Sequence, residues 1–213
     1  MFDGNPMRIW LERVKKSIFP LSIEKHDIRK ALAEWHYTGE TYDLEYPCED
    51  CELCGHRDIR YQFTIRNRNT SSELLIGSEC ITRFDIRAVD DSGNILDQKD
   101  TKKAVSRERR KLITDAKEKR MIEALIQLGK KEEEFDISSF IDYFRDRGAF
   151  TPDQLSLLLW RMKKNEIEHY PPDFKLTIRR IREKSQLLNM PDWKIQELWL
   201  CMTPSQRKFW ENN

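Results

Sequence analysis

Apolar residues recur at helical spacing over the first part of the chain, alternate in the next, and return to helical spacing from Ala104 onward. A change of period from 3.6 to 2 and back marks helix, sheet and helix in turn. From Met7 to Trp35, Ile9, Trp10 and Val14 lead into Ile18, and Ile28, Leu32 and Trp35 form a second stripe. Two short helices broken at Pro20 are predicted there. Ser22 stands as the cap of the second, with Lys25 where a capping box takes an acidic residue.

Arg60 to Ile65 then alternates in the strand period, as does Leu74-Leu75-Ile76, and the polar run from Asn67 to Ser72 separates them as a hairpin loop. Gly77 ends the second strand, and Ser78 is placed to cap a helix carrying Cys80, Ile81 and Phe84. A loop from Val89 to Lys103, with Asp90-Asp91-Ser92-Gly93-Asn94 inside it, reads as a boundary. The expected organisation is therefore a helical preface plus a small mixed domain over residues 1–88, followed by an all-helical domain over residues 104–213.

The helical half carries explicit start and stop signals. A first helix is predicted from Ala104 to Leu128, closed by Gly129. Asp136 caps the next, with Phe135 and Phe140 as a hydrophobic staple and Gly148 as its C-terminal stop. Thr151-Pro152-Asp153-Gln154 and Thr203-Pro204-Ser205-Gln206 each place Thr as N-cap, Pro at the first helical position and Gln as the reciprocal partner. Between them a basic helix is expected from Phe174 to Leu188, and a short one from Trp193 to Leu200.

Cysteine usage changes the picture of the middle region. Cys48, Cys51 and Cys54 stand at three-residue spacing before Gly55 and His56, and Cys80 follows in Gly77-Ser78-Glu79-Cys80-Ile81. Zinc holds thiolates in a tetrahedron, and a C-x-x-C-G turn points two sulfurs one way with backbone N–H groups aimed at them. A knuckle, a hairpin and a helix whose first turn holds a ligand follow one another in the order of a treble-clef zinc fold. The fold class expected is thus α+β, a treble-clef-like zinc domain behind a helical segment, then an all-α domain. Cys51, Cys54 and Cys80 are the firmest ligands. Arg83, three residues after Cys80, occupies the usual place of a second helical ligand and cannot bind zinc. Cys48 is the favoured fourth ligand, with His56 as the alternative. Four protein ligands close a site, and closed sites are structural. Five cysteines, an odd number with four clustered, fit reduced thiols better than a disulfide framework, and Cys201 reads as a buried bystander.

The 213 residues are 35% charged, with a formal net charge of +1, so nucleic acid cannot be held by bulk charge and any basic surface must be local. Two local clusters qualify. Lys102, Lys103, Arg107, Arg109, Arg110 and Lys111 form one, and Arg179, Arg180, Arg182 and Lys184, with Lys163 and Lys164, form the other. Lys and Arg on a rigid helix neutralise phosphates with counterion release. Tyr61 and Phe63 alternate beside Arg60, Arg66 and Arg68, a pattern suited to stacking on unpaired bases and also to a small core. Trp210, near the chain end, is the tryptophan expected to be exposed for a partner. His26, His36 and His169 stand apart as ordinary histidines, and no nucleophile elbow, phosphate loop or zinc-protease motif occurs. No apolar run approaches the roughly 20 residues that cross a bilayer, and residues 1–10 lack a secretory core, which makes cytoplasmic residence the expectation.

The segments Cys51-Glu52-Leu53-Cys54-Gly55-His56, Ile59-Arg60-Tyr61-Gln62-Phe63-Thr64-Ile65 and Ile76-Gly77-Ser78-Glu79-Cys80-Ile81 resemble a zinc module of poorly characterised bacterial and phage proteins. The resemblance spans Trp35 to Phe84. It implies a treble-clef-like metal site at Cys51, Cys54 and Cys80 and brings no activity with it. The functional expectation is a zinc-binding, nucleic-acid-binding accessory or regulatory protein of bacterial or phage origin. The alternative is an adaptor or inhibitor that docks on a larger machine through its helical domain.

Overall fold

The computed structural model describes residues 6–90 and 92–213, with side chains from Trp10 onward. Asp91 of the expected boundary loop and the side chain of Ile9 on the first stripe lie outside it. Among the described residues the chain is mixed α and β, with one four-stranded sheet and a helical C-terminal region. It divides into two compact units between Thr114 and Asp115.

In the first unit, α1 (Pro6–Leu21) runs one residue past Pro20. A proline this close to the C-terminus removes a bond only in the last turn, so it ends the helix without kinking its body. α2 (Ile28–Ala33) is capped by Asp27, whose carboxylate accepts from the Arg29 and Lys30 amides at 2.9 and 3.3 Å. Ser22 is not the cap: it is buried and accepts the Trp35 indole N–H at 2.9 Å. Trp35 itself is not helical. It opens β1 (Trp35–Asp43), a strand absent from the sequence reading because Ile28, Leu32 and Trp35 mimic a helical stripe. Trp35 and Tyr37 alternate into the core, and the ladder is interrupted between Tyr37 and Thr41, where Gly39 sits at φ +92°.

β1 pairs antiparallel with β2 (Tyr61–Asn67), which pairs antiparallel with β3 (Glu73–Ile76); β4 (Arg87–Ala88) adds to β1 in parallel, giving the order β3-β2-β1-β4. The expected hairpin is present. α3 (Ser78–Arg83) follows β3, with Gly77 rather than Ser78 at the N-cap position. A polar knot ties the preface to the hairpin loop. The buried Asn67 amide donates to the Leu21 carbonyl at 3.2 Å and to the Glu34 carboxylate at 2.8 Å, while its own oxygen accepts from the Asn69 and Thr70 amides.

α4 (Gln98–Lys131) starts six residues earlier than the sequence suggests, so the expected loop ends before Gln98. No Gly or Pro interrupts residues 98–128, and Asp97 accepts the Asp100 amide at 2.7 Å as a cap. Gly129 does not close the helix but lies within it, and a Cβ there would stand 2.5 Å from Cγ2 of Ile137, which accounts for glycine at this position.

In the second unit, α5 (Ile137–Arg147) is capped by Asp136 and stopped by Gly148 at φ +68°, with the Phe135 and Phe140 rings 5.2 Å apart. α6 (Pro152–Lys164) and, further on, α9 (Pro204–Glu211) both carry the reciprocal Thr/Gln box. α7 (Ile181–Leu188) is shorter than the predicted basic helix. Phe174 and Leu176 are buried while Lys175 is exposed, the alternation of an extended segment, and Leu176 bridges Phe150. Arg179 and Arg180 therefore precede the helix. α8 (Asp192–Leu198) continues into a 3-10 turn at Trp199–Cys201. Trp210 is not a free tryptophan: it is partly buried against this core and meets Trp199 edge to face at 6.0 Å. The pair Arg120–Asp173, bidentate at 2.7 and 2.9 Å, compensates the buried Asp173 carboxylate.

Candidate metal centre

Local hydrogen bonds build the knuckle. The Gly55 amide donates to the Cys51 carbonyl at 2.7 Å and the Cys51 amide to the His56 carbonyl at 2.8 Å, closing a turn in which Gly55 takes φ +68°. Glycine enters that region at no steric cost, and the Arg13 guanidinium stands 3.4 Å from where a Cβ would lie. Ahead of the turn, the Ile59 amide reaches the Glu49 carbonyl at 2.8 Å. On its far side the Glu52 amide donates to the Leu75 carbonyl at 3.1 Å, and the Leu75 amide returns a bond to the Glu52 carboxylate. The knuckle is thus fastened to β3, and β3 delivers α3 directly.

The outcome is a meeting of three sulfurs. Cys51, Cys54 and Cys80 are all buried and their Sγ atoms lie within 4.8 Å of one another, with Cys80 at 3.7 Å from Cys51 and 3.3 Å from Cys54. A zinc tetrahedron with bonds of about 2.3 Å sets its sulfurs roughly 3.8 Å apart. The three cysteines can hold a metal ion. The electrostatics favour thiolate at one corner: the Cys80 thiol, with the amides of Gly77, Cys54 and Leu53, brings Cys51 down to about 5. The Gly77 amide approaches the Cys51 sulfur at 3.4 Å. Cys80 moves the opposite way, raised by its hydrogen bond to Cys51 and by burial, since adjacent thiolates repel. A cation among the three sulfurs removes that conflict.

The fourth candidates separate. Cys48 is exposed and stands outside the trio. His56, also exposed, lines the same cavity of about 370 Å³ as Cys51, Cys54 and Cys80. Arg83 does not face the sulfurs as a ligand; its guanidinium lies 4.5 Å above the Trp10 ring, which stacks on Phe84.

Cations and aromatics wall this cavity. Arg60, Tyr61, Arg83, Arg109 and Trp10 contribute, with Glu79 among them. Arg60 is held by Asp43 at 2.7 and 2.8 Å and lies 5.1 Å over Tyr61. Phe63, by contrast, is fully buried in the core. Trp10 could not be assigned to this wall from the sequence, because its helical stripe gives a face and not a neighbour.

Lys102, Lys103, Arg107, Arg109, Arg110 and Lys111 are all exposed on α4, with Lys103 paired to Asp100 and Arg107 to Glu108. Arg179, Arg180, Arg182 and Lys184 are exposed in the second unit. His26 is exposed, His169 contacts the Ile167 carbonyl at 2.8 Å, and His36 is shifted down by burial and by Arg68 and Arg66. Cys201 is buried against the Pro171 carbonyl, and burial raises it to about 12.

Among the described residues, no helix is long and apolar enough to cross a membrane. No protein-family model, curated protein or solved structure matches the chain.

Proposed function

We propose that this chain is a zinc-containing, nucleic-acid-binding accessory or regulatory protein whose first unit is a treble-clef-like module. In this reading Cys51, Cys54 and Cys80 hold structural zinc, and His56 completes the tetrahedron in preference to Cys48. The knuckle places His56 at the edge of the cavity that the sulfurs line, whereas the Glu49–Ile59 pairing lies between Cys48 and the turn. The ion would supply crosslinking between knuckle and α3 and no chemistry of its own.

The observation that carries the nucleic-acid part is the wall around the sulfurs. Guanidiniums beside aromatic rings, Arg60 with Tyr61 and Arg83 with Trp10, suit stacking on bases although Asp43 and Glu79 share their charge, and Arg109 joins them from α4 without an ion pair among the described residues. Lys102, two turns before Arg109, extends the positive surface on the same side of that helix, while Arg110 and Lys111 are exposed on other sides.

The test is fluorescence anisotropy of the zinc-loaded protein with single-stranded DNA and RNA across a salt series. Binding whose logarithm falls linearly with log salt, and whose slope drops by about one in Arg109→Ala, supports the reading. Absence of binding at low salt sinks it. Elemental analysis adds the ligand test: Cys48→Ser keeps one zinc, and His56→Ala weakens it.

A second reading, a protein adaptor, is favoured by the exposure of Ile181, Trp193 and Leu200 in the second unit, at 85%, 51% and 56%. It takes precedence if nucleic acid does not bind.

A further inference from the structure

We infer that the second unit carries its own site for a nucleoside phosphate, in a cavity of about 540 Å³ between the extended segment at Phe174–Ile178 and the turn leading into α9. The inference rests on the nucleic-acid reading above and adds a site to it that lies far along the sequence from the cysteines. Its volume falls in the range of roughly 300–1,000 Å³ typical of small-molecule sites.

The lining has one sign of charge. Among the described residues, Arg147, Lys175 and Arg179 are its ionisable side chains besides Cys201, and no carboxylate lines it. Arg147 is offset by Asp146 at 3.0 Å, outside the lining, while Lys175 and Arg179 enter no ion pair among the described residues. Two uncompensated cations in one concavity focus a positive potential, and the planar fork of Arg matches phosphate oxygens. The remaining walls mix apolar and polar groups: Phe174, Leu176 and Met202 at the base, Pro172, Ile178 and the half-exposed Leu200 at the rim, with Thr177, Thr203 and Gln206 among them. A ligand that satisfies both features has an anionic end and a body with apolar faces and a polar edge. A nucleotide has both.

The walls are fixed before any ligand arrives. The Phe150 amide donates to the Lys175 carbonyl and the Thr177 amide to the Phe150 carbonyl, both at 2.8 Å, and the Gln206 side chain donates to the Leu176 carbonyl at 2.8 Å. Arg180, Arg182 and Lys184 then continue the positive run from Arg179 onto α7. That continuation suits a polymer more than a free nucleotide, though both present the same unit.

The experiment follows the methyl resonances of Leu176, Leu200 and Met202 in the full-length zinc-loaded protein. Three probes are added separately: a short oligothymidylate, thymidine monophosphate and inorganic phosphate. Saturable shifts with the oligonucleotide place the cavity on a nucleic-acid track, and shifts with the monophosphate as well assign it to nucleotides generally. Lys175→Ala/Arg179→Ala, two exposed positions, is expected to weaken oligonucleotide binding about tenfold and to lower the salt slope by about two, while Lys208→Ala outside the cavity changes little. Oligonucleotide binding that leaves these methyls and the double variant unaffected overturns this site and spares the nucleic-acid reading. No binding anywhere overturns both. Equal shifts with inorganic phosphate also overturn the nucleotide assignment.

Discussion

The two units bury comparable apolar clusters with different kinds of local support. In the second, each of α5, α6 and α9 begins on a cap whose donor and acceptor lie three residues apart, and the core beneath is aliphatic and aromatic around Leu125, Phe150, Leu158 and Leu198. In the first, the decisive contacts join distant segments: Asn67 to Leu21 and Glu34, Glu52 to Leu75, and Gly77 to the Cys51 sulfur. Three of its buried residues are the cysteines themselves. Short-range caps cost little chain entropy, whereas the polar ties and the sulfur trio of the first unit close long loops; the second unit closes its own at Arg120–Asp173 and Gln206–Leu176, but beneath helices that start on local signals. A metal at the sulfurs would offset that cost in one unit and be irrelevant to the other.

Chelation gives the largest expected effect. If zinc sits at Cys51, Cys54 and Cys80, its removal takes about 10 kcal/mol or more from the first unit, so hydrogen exchange accelerates across β1, β2 and β3 while α5 and α6 stay protected. Equal protection of both units after complete zinc loss would erase the contrast. Leu158→Ala probes the other side. The residue is fully buried, so about 3 kcal/mol is lost, and hydrogen exchange should register it in the second unit alone.

Glu34→Gln sharpens the comparison through pH. Burial pushes the Glu34 carboxyl up, but the Asn67 amide, the backbone amides of Glu24 and Ile23, and Asn69 together bring it below its ordinary value of 4.5. With the folded value depressed, its stabilisation is present above the ordinary carboxylate range and is lost as pH falls through the lower folded value. Urea midpoints of the first unit should therefore decline on the acid side. The glutamine variant should flatten that decline and cost about 2 kcal/mol at neutral pH.

Gly129→Ala carries the smallest effect. The new methyl meets Ile137 at 2.5 Å, and overpacking should outweigh the helical gain, for a net loss of about 1 kcal/mol by thermal unfolding. Combined with Ile137→Ala it should cost less than the sum of the two single losses, since Ile137 packs against the core; a purely additive pair would place the cost elsewhere.

Much of the second unit was readable because its signals are local. Thr151-Pro152-Asp153-Gln154 specifies a helix start whatever surrounds it, and Asp136 and Gly148 do the same for α5. The basic segment at Phe174 was harder. Its alternation was visible in the chain, but the partner that makes it extended, Phe150, is remote in sequence. β1 failed for a related reason: Trp35 fits a helical stripe until the ladder with Asn67 is known. At the candidate metal site, C-x-x-C-G and the later Cys80 were legible from spacing, while Trp10, Arg83 and Arg109 around them were not.

The amino-acid order alone determined the caps at Asp136, Thr151 and Thr203, the hairpin, and Cys51, Cys54 and Cys80 as sulfurs of one cluster, since each follows from bonding or coordination rules acting over a few residues or through one chemical type. Tertiary structure alone decided that His56 and not Cys48 shares the sulfur-lined cavity, that Trp210 packs inward, and that Lys175 and Arg179 face a common hollow. Those outcomes depend on which distant segments pack together, and side-chain periodicity carries a face but no address for its neighbour.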